Sequence, residues 1–332
     1  MIKLRDGVHF DLQENVLIAD GNSSTPNSIT FVSHAHMDHI PHKDSSKIIT
    51  SKETSKFIEE RTDIQVDQQE NYKSINLIKS GHILGSRSAL VKEHDQRILY
   101  TGDISTRDRA YLNGFNPPTA DTLVIESTYG KPSYVFPQQD QINQNILNWI
   151  KKQKTTFLFC YSLGKSQKIQ YLIQKNLDKE IITHNAIHQL NRVYEKIKNI
   201  QFNDKHISKV HKKPYKQEIK TGKKTERVYL FPSHLSTNKE IKELSKKQNA
   251  NKAGFSGWAI NKSYLYRKSL DKAFPYSDHC DFTELLEVIQ EVDPNKIYTY
   301  HGFSNEFAKT LKRDYDYNAQ PLKKHQKKIT DY

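Results

Sequence analysis

The sequence is poor in cysteine, with only Cys160 and Cys280 in 332 residues. Two thiols cannot build a disulfide framework or a cysteine-based zinc ribbon, and a reducing, cytoplasmic setting is expected. Long apolar runs are missing as well. None approaches the roughly 20 residues of a membrane-spanning helix, and the opening Met1-Ile2-Lys3-Leu4-Arg5-Asp6 lacks the apolar stretch of a secretory leader. No membrane partner is expected. Hydrophobic residues are scarce, at 35%. They cluster in short strand-like runs, which implies a folded core under a very polar surface rich in Lys, Gln and Asn. Negative charge is in short supply too: 38 Asp and Glu face 51 Lys and Arg, a formal net charge of +13. That imbalance favours polyanionic partners such as nucleic acid, although a Lys-rich surface with no such role would have the same composition.

The length suits one large domain or two moderate ones. There is no internal repeat and no low-complexity linker. The first third reads as strands: Ile29 to Val32, a hairpin from Ser88–Val91 and Arg97–Thr101 around Glu93-His94-Asp95-Gln96, and Thr122 to Ile125. From about residue 137 the period changes, with Ile142, Ile146, Leu147 and Ile150 on one helical face. Thr156 to Cys160 then reads as a strand. It runs through Ser162-Leu163-Gly164-Lys165 into a helix carrying Ile169, Leu172 and Ile173, an α/β unit. Val228 to Phe231 is strand-like. The end alternates again: a helix near 282–290, a strand Ile297 to Tyr300, a helix near 304–315, and a basic tail. This order fits a domain inserted within another. Residues 205–227 are strongly basic and could grip a phosphate backbone or form a solvated loop.

The densest chemistry is Ser33-His34-Ala35-His36-Met37-Asp38-His39, four metal-capable side chains within six residues directly after a strand. His34 and His36 can converge on one ion while Asp38 and His39 turn toward a second, and imidazole with carboxylate suits Zn²⁺. Two ions need more donors. His82 in Ser80-Gly81-His82, Asp103 in Gly102-Asp103 and His301 in His301-Gly302 each follow an apolar run and adjoin a glycine, where a sheet presents side chains at its rim.

His-x-His-x-Asp-His, then Gly-His, Gly-Asp and a late His resemble the metallo-β-lactamase superfamily. The resemblance implies an α/β (α+β) fold, an αββα sandwich with metals at one edge. By the family pattern His34, His36 and His82 hold one zinc, Asp38, His39 and His301 hold the other, Asp103 bridges them, and Asp20 braces the metal loop. Zn²⁺, two per chain, is the expected cofactor, with Mn²⁺ as the other ion this donor set accepts. Three further segments narrow the resemblance: Glu126-Ser127-Thr128-Tyr129-Gly130, Tyr276-Ser277-Asp278-His279, and His301-Gly302. They are similar to motifs A, B and C of the β-CASP nucleases. The implied layout is a metallo-β-lactamase domain from 1–128 and 276–332, with an α/β β-CASP insert at 129–275.

That resemblance implies a zinc-dependent nuclease, an exonuclease in the reading preferred here, which hydrolyses DNA or RNA by attack of a metal-bridged hydroxide. The implied catalytic residues are Asp38, His279 as the acid for the leaving oxygen, and Glu126 as its carboxylate partner. Ser162, Gly164, Lys165 and Ser166 are candidate substrate contacts through the loop opening a helix. Pro232-Ser233-His234 and Ser256-Gly257-Trp258 are further candidates for a cleft lining. Cys280 is expected to be buried filler. The runs Leu163-Gly164-Lys165-Ser166-Gln167, Phe255-Ser256-Gly257-Trp258 and Ser277-Asp278-His279 look most like the compact exonucleases associated with bacterial DNA ligases, and resemble the archaeal mRNA 3′-end processing exonucleases too. This likeness implies single-stranded nucleic acid as substrate, with a DNA ligase or helicase as partner. Phe303 and Lys165 depart from that pattern, standing where many relatives carry Glu and Arg. The competing expectations are a thioester-type small-molecule hydrolase on the same scaffold, and a non-catalytic nucleic-acid-binding subunit.

Overall fold

The computed structural model describes residues 2–323 except 14, 23–27, 43–47, 67, 70–71, 73 and 208–225. Most of the Lys-rich stretch at 205–227 and the basic tail therefore lie outside the described residues. Within them Lys205 and Arg227 both pair with Glu180. The chain forms two compact units. Unit 1 comprises residues 1–108, 112–135 and 279–332, and unit 2 comprises 109–111 and 136–278. Residues 109–111, placed outside the insert by sequence, group with unit 2.

Unit 1 holds two six-stranded sheets. The first runs in chain order from Ile2–Arg5 to Gln68–Gln69. The second places Lys296–Tyr300 beside Thr122–Glu126, and Thr122–Glu126 beside Gln96–Tyr100, all parallel. The expected hairpin is there: Arg87–Glu93 pairs antiparallel with Gln96–Tyr100, turning at His94 and Asp95. Side chains alternate across a strand, and that alternation builds the layers. Phe10, Leu17, Phe31, Tyr100, Val124 and Tyr300 meet between the sheets in one apolar cluster. Leu99, Leu123, Ile125 and Ile297 face the other way and pack with Leu285, Val288, Phe307 and Leu311 of the helices Phe282–Val292 and Ser304–Asp314. Each such fully buried side chain contributes about 1.5–3 kcal/mol. Asp281 and Glu284 cap the start of Phe282–Val292 reciprocally.

The first third is not all strand. Lys52–Arg61 is a helix whose N-cap Ser51 accepts the Thr54 N–H, with Phe57 and Ile58 buried. The capping serine and a run of strong helix formers were legible signals there. The layers of unit 1 are those of a metallo-β-lactamase-type α/β fold.

Unit 2 is a six-stranded, wholly parallel sheet. Its strand order is Asp204–Ile207, Glu180–His184, Arg227–Pro232, Thr155–Cys160, Asn251–Phe255, Lys272–Phe274. The central strands are apolar along their length, as a sheet covered on both faces requires. The amphipathic helix read from Ile142 to Ile150 spans Gln139–Lys151 and buries that face.

Candidate metal centre

The histidine-rich loop leaves the strand Ser28–Phe31 and is anchored by one carboxylate. Asp20 Oδ1 accepts the Ser33 N–H at 2.7 Å, and Oδ2 accepts Ser33 Oγ at 2.7 Å and the Tyr100 hydroxyl at 2.8 Å. The same Oδ2 lies 3.0 Å from His39 Nδ1, which aims the ring's Nε2 at Asp103. From the other side, Arg61 Nη1 donates to the Ala35 carbonyl at 2.5 Å, between the two leading histidines. The Gly102 backbone is left-handed at φ 57°, and a Cβ there would lie 2.7 Å from Ser33 Cβ. Glycine is thus what lets the Asp103 turn press against the histidine loop.

Four loops meet in unit 1. His34 Nε2 is 2.9 Å from His36 Nδ1, and His82 Nε2 is 3.3 Å from the same nitrogen. Asp103 Oδ2 lies 3.5 Å from His34 Nε2, 3.6 Å from His82 Nε2 and 3.6 Å from His39 Nε2. One donor atom from each of His34, His36, His82 and Asp103 falls within 4.8 Å of the others. Asp38 and His301 stand at the rim. The Asp38 side chain is 69% exposed with Oδ2 3.8 Å from His39 Nε2, and the His301 ring is 6.3 Å from that of His39. His301 itself is held at φ 61°, a left-handed conformation costly for a residue with a side chain.

The electrostatics fit a cation. Burial, aided by the surrounding imidazoles, drives the His34 ring well below its ordinary pKa, so it is a neutral donor. Burial opposes charge on His39, but Asp103 and Asp20 hold its proton up to about 10. Burial would also raise Asp38, yet His39 and His36 keep its carboxyl below the usual value. Asp103 Oδ1 is buried with no hydrogen-bond partner among the described residues. A buried carboxylate oxygen left unsatisfied is costly. Facing the neutral His34 ring, the carboxylate is placed to meet a positive ion, and these residues can hold one.

Beside this set lies a second grouping, Asp103, Glu126 and His279, also within 4.8 Å. Glu126 ends the strand Thr122–Glu126 fully buried. Its Oε1 accepts the Ile104 N–H at 3.1 Å and sits 2.9 Å from His279 Nδ1. Its Oε2 accepts the Thr128 N–H at 3.2 Å and the Thr128 hydroxyl. Burial would raise this carboxyl, but His279 and these donors bring it down to about 2. The ionised Glu126 therefore fixes a proton on Nδ1 and turns His279 Nε2 toward Asp103 Oδ2, 4.0 Å away. Thr128 and Arg61 have no role in the sequence reading. A short polar residue after Glu126 and an arginine ending a helix carry too little pattern to single out.

The four expected substrate contacts lie in unit 2, where their polar atoms are largely committed. The Gly164 N–H donates to Gln167 Oε1 at 2.7 Å, and Ser166 Oγ donates to the Tyr161 carbonyl at 2.7 Å. Lys165 is buried with Nζ 3.5 Å from Asp278 Oδ2. Gly164 and Ser166 thus spend these donors inside the turn, and Lys165 faces Asp278. Ser162 is half-exposed. Also unread in the sequence is what surrounds Asp278. Lys168 Nζ is 2.5 Å and Arg109 Nη1 3.8 Å from its Oδ1, and Arg109 also donates to the Ser277 carbonyl. Cys160 and Cys280 are both fully buried, as expected of Cys280.

No family model matches the chain. A probable DNA ligase from Opitutus terrae is 31% identical over 303 residues, which is 86% of this chain and 28% of that protein. An RNase J-like protein from Methanocaldococcus jannaschii is 29% identical over 177 residues, covering 43% of this chain and 42% of its own length. The chain thus spans less than half of these relatives. Among solved structures, a protein of unknown function from Enterococcus faecalis V583 matches with a TM-score of 0.62 at 11% identity, covering 90% of this chain and 92% of that one, a likeness of fold. No helix among the described residues is long and apolar enough to cross a membrane. With histidine and aspartate donors gathered on this scaffold, these relatives point to the β-CASP nuclease family of the metallo-β-lactamase superfamily.

Proposed function

We propose that this chain is a metal-dependent phosphodiester hydrolase acting on DNA or RNA in the cytoplasm. The observation that carries the reading is the convergence of His34, His36, His82 and Asp103 with the Glu126–His279 pair. His34, His36 and His82 would hold one ion, Asp38, His39 and His301 another, with Asp103 shared. Zn²⁺ suits these donors, and Mn²⁺ is the alternative. When bound, such ions lower the pKa of water from 15.7 toward about 7 and offset charge building on a phosphoryl oxygen.

The chain's own residues supply the rest. Breaking a phosphodiester expels an alkoxide that needs a proton. His279 Nε2 can deliver one, since Glu126 occupies Nδ1 and favours the imidazolium. Thr128 holds the far oxygen of Glu126, so the carboxylate cannot swing away from the ring. Asp20 and Arg61 keep the histidine loop in register from opposite sides. The O. terrae relative is a longer chain named as a ligase, which supports a reading of this module as one that trims ends before sealing, with a DNA ligase or helicase as partner. The inserted domain at 129–275 is read as the part that grips the strand.

The test is hydrolysis of end-labelled single-stranded DNA and RNA of identical sequence by the purified chain. Cleavage should stop on chelation and return with Zn²⁺ or Mn²⁺. Asp103→Ala should lower turnover by roughly 10³-fold or more, the loss of the group shared by both ions. Undiminished cleavage by metal-free Asp103→Ala would refute the proposal.

A further inference from the structure

We infer that the carboxyl edge of the unit 2 sheet is a stacking face for single-stranded nucleic acid, with Tyr161 as the platform for a base. The inference rests on the nuclease reading and adds the part of the substrate that is recognised. All six strands run parallel, so every carboxyl end emerges along the same edge. The strand Thr155–Cys160 leads through the helix Lys165–Asn176 to Glu180–His184 on one side. Its neighbour Asn251–Phe255 leads through the short helix Ser263–Arg267 to Lys272–Phe274 on the other side. The two paths diverge between adjacent strands, and in open α/β sheets that switch point, at the carboxyl ends, is where ligands bind.

What lies along this edge says which ligand. Among the described residues of unit 2, three large hydrophobic side chains are left exposed: Tyr161 at 55%, Ile260 at 36% and Tyr266 at 76%. Tyr161 directly follows Thr155–Cys160, and the other two follow its neighbour Asn251–Phe255. Apolar side chains scattered singly over a surface need no explanation, but these gather on two adjacent loops. The same loops are devoid of acid. Segments 161–168 and 256–268 contain no Asp or Glu; the second carries Lys262, Arg267 and Lys268, while Lys165 and Lys168 of the first are buried against Asp278. Lys262 and Arg267 are exposed, and Lys165 Nζ lies 5.1 Å from the centre of the Tyr161 ring. The second loop is shaped from within, Ser256 accepting the Trp258 N–H and Tyr264 buried beneath.

Exposed aromatic faces interleaved with cations are the recognition surface of unpaired strands. The cations track the phosphates, and each base offers a ring face to stack. A duplex keeps its base faces covered, so the chemistry selects single strands.

Binding, without cleavage, tests this. The full chain in chelator is titrated with fluorescent oligothymidylate, an abasic strand of equal length, and a duplex, read by anisotropy. Wild type should prefer oligothymidylate to both others. Tyr161→Ala should bind it about tenfold more weakly, Tyr161→Phe should bind as wild type does, and the abasic strand should not distinguish Tyr161→Ala from wild type. Equal binding of oligothymidylate by Tyr161→Ala and wild type, or of abasic and thymidylate strands by wild type, would overturn the inference. So would self-association abolished by Tyr161→Ala in a protein that binds no strand. Thermal melting checks that the exposed position is tolerated. Hydrolysis of bis(p-nitrophenyl) phosphate by wild type reports on the metal centre separately. Its absence would sink the hydrolase reading, while the anisotropy still judges the stacking face.

Discussion

Among the described residues, each unit holds a buried charge cluster, and the one solves the opposite problem from the other. In unit 1, imidazoles and carboxylates converge but leave Asp103 Oδ1 without a hydrogen-bond partner among the described residues. In unit 2, Asp278 is ringed by Lys168, Lys165 and Arg109. Burial would raise the Asp278 carboxyl, but these cations hold it well below the usual carboxylate range. The first cluster is incomplete without an ion from outside. The second answers its own charge with charge from the chain. The lesson is that a buried polar cluster reads as a site when its donors point at a common empty position, and as scaffold when they point at one another.

That contrast can be broken by mutation. The largest expected effect, after loss of Asp103, is on chemistry at the incomplete cluster. His279→Gln, which keeps a hydrogen-bond donor for the buried Glu126, should lower nucleic-acid turnover about 10²–10⁴-fold with little change in melting temperature, as expected for a lost proton donor. A drop in stability that accounts for the lost activity would instead make His279 a packing residue. Next comes the self-completing cluster. Asp278→Ala strips the carboxylate from three buried cations and should cost about 3–5 kcal/mol in denaturant unfolding, as for other broken buried pairs. A near-neutral result would mean that the cations find water or another partner.

The last expected effect is a pH slope. Burial, against the pull of Asp278, lowers Lys168 to about 7. Unfolded, the lysine regains its ordinary value near 10.5. Between these values the unfolded chain binds more protons, so this group makes stability rise with pH from about 7 to about 10.5 and leaves it flat below 7. Lys168→Met should remove that rise in urea melts at successive pH values. An identical slope in the variant would assign it to other groups.

Much of this contrast was readable beforehand, and what was not has a physical cause. The metal loop is dense in rare chemistry, and His82, Asp103 and His301 follow strands and adjoin glycines, so a linear sequence already marks them. Asp20 is marked only by the family resemblance. The environment of Asp278 was not, because Arg109 is 169 positions away and nothing local announces the contact. The Gly164 turn that opens a helix marks Lys165 as a lysine able to add a phosphate contact. That this one is buried follows only from the tertiary packing of its neighbours. The strand order of unit 2 likewise depends on long-range pairing between similar apolar runs, which periodicity cannot rank.

The threading of the chain through its two units has a consequence for how the protein comes off the ribosome. Unit 2 has all its pieces once residue 278 has been made, including the strap at 109–111, where Tyr111 packs edge-on against Tyr171 and Tyr194. Unit 1 begins earlier yet finishes later, because Thr122–Glu126 waits for Lys296–Tyr300 to complete its sheet. Until then the apolar face of Leu123 and Ile125 has no helix to cover it. The nascent chain therefore carries a sticky half-built sandwich through the synthesis of an entire second domain, the interval in which a holdase would matter most.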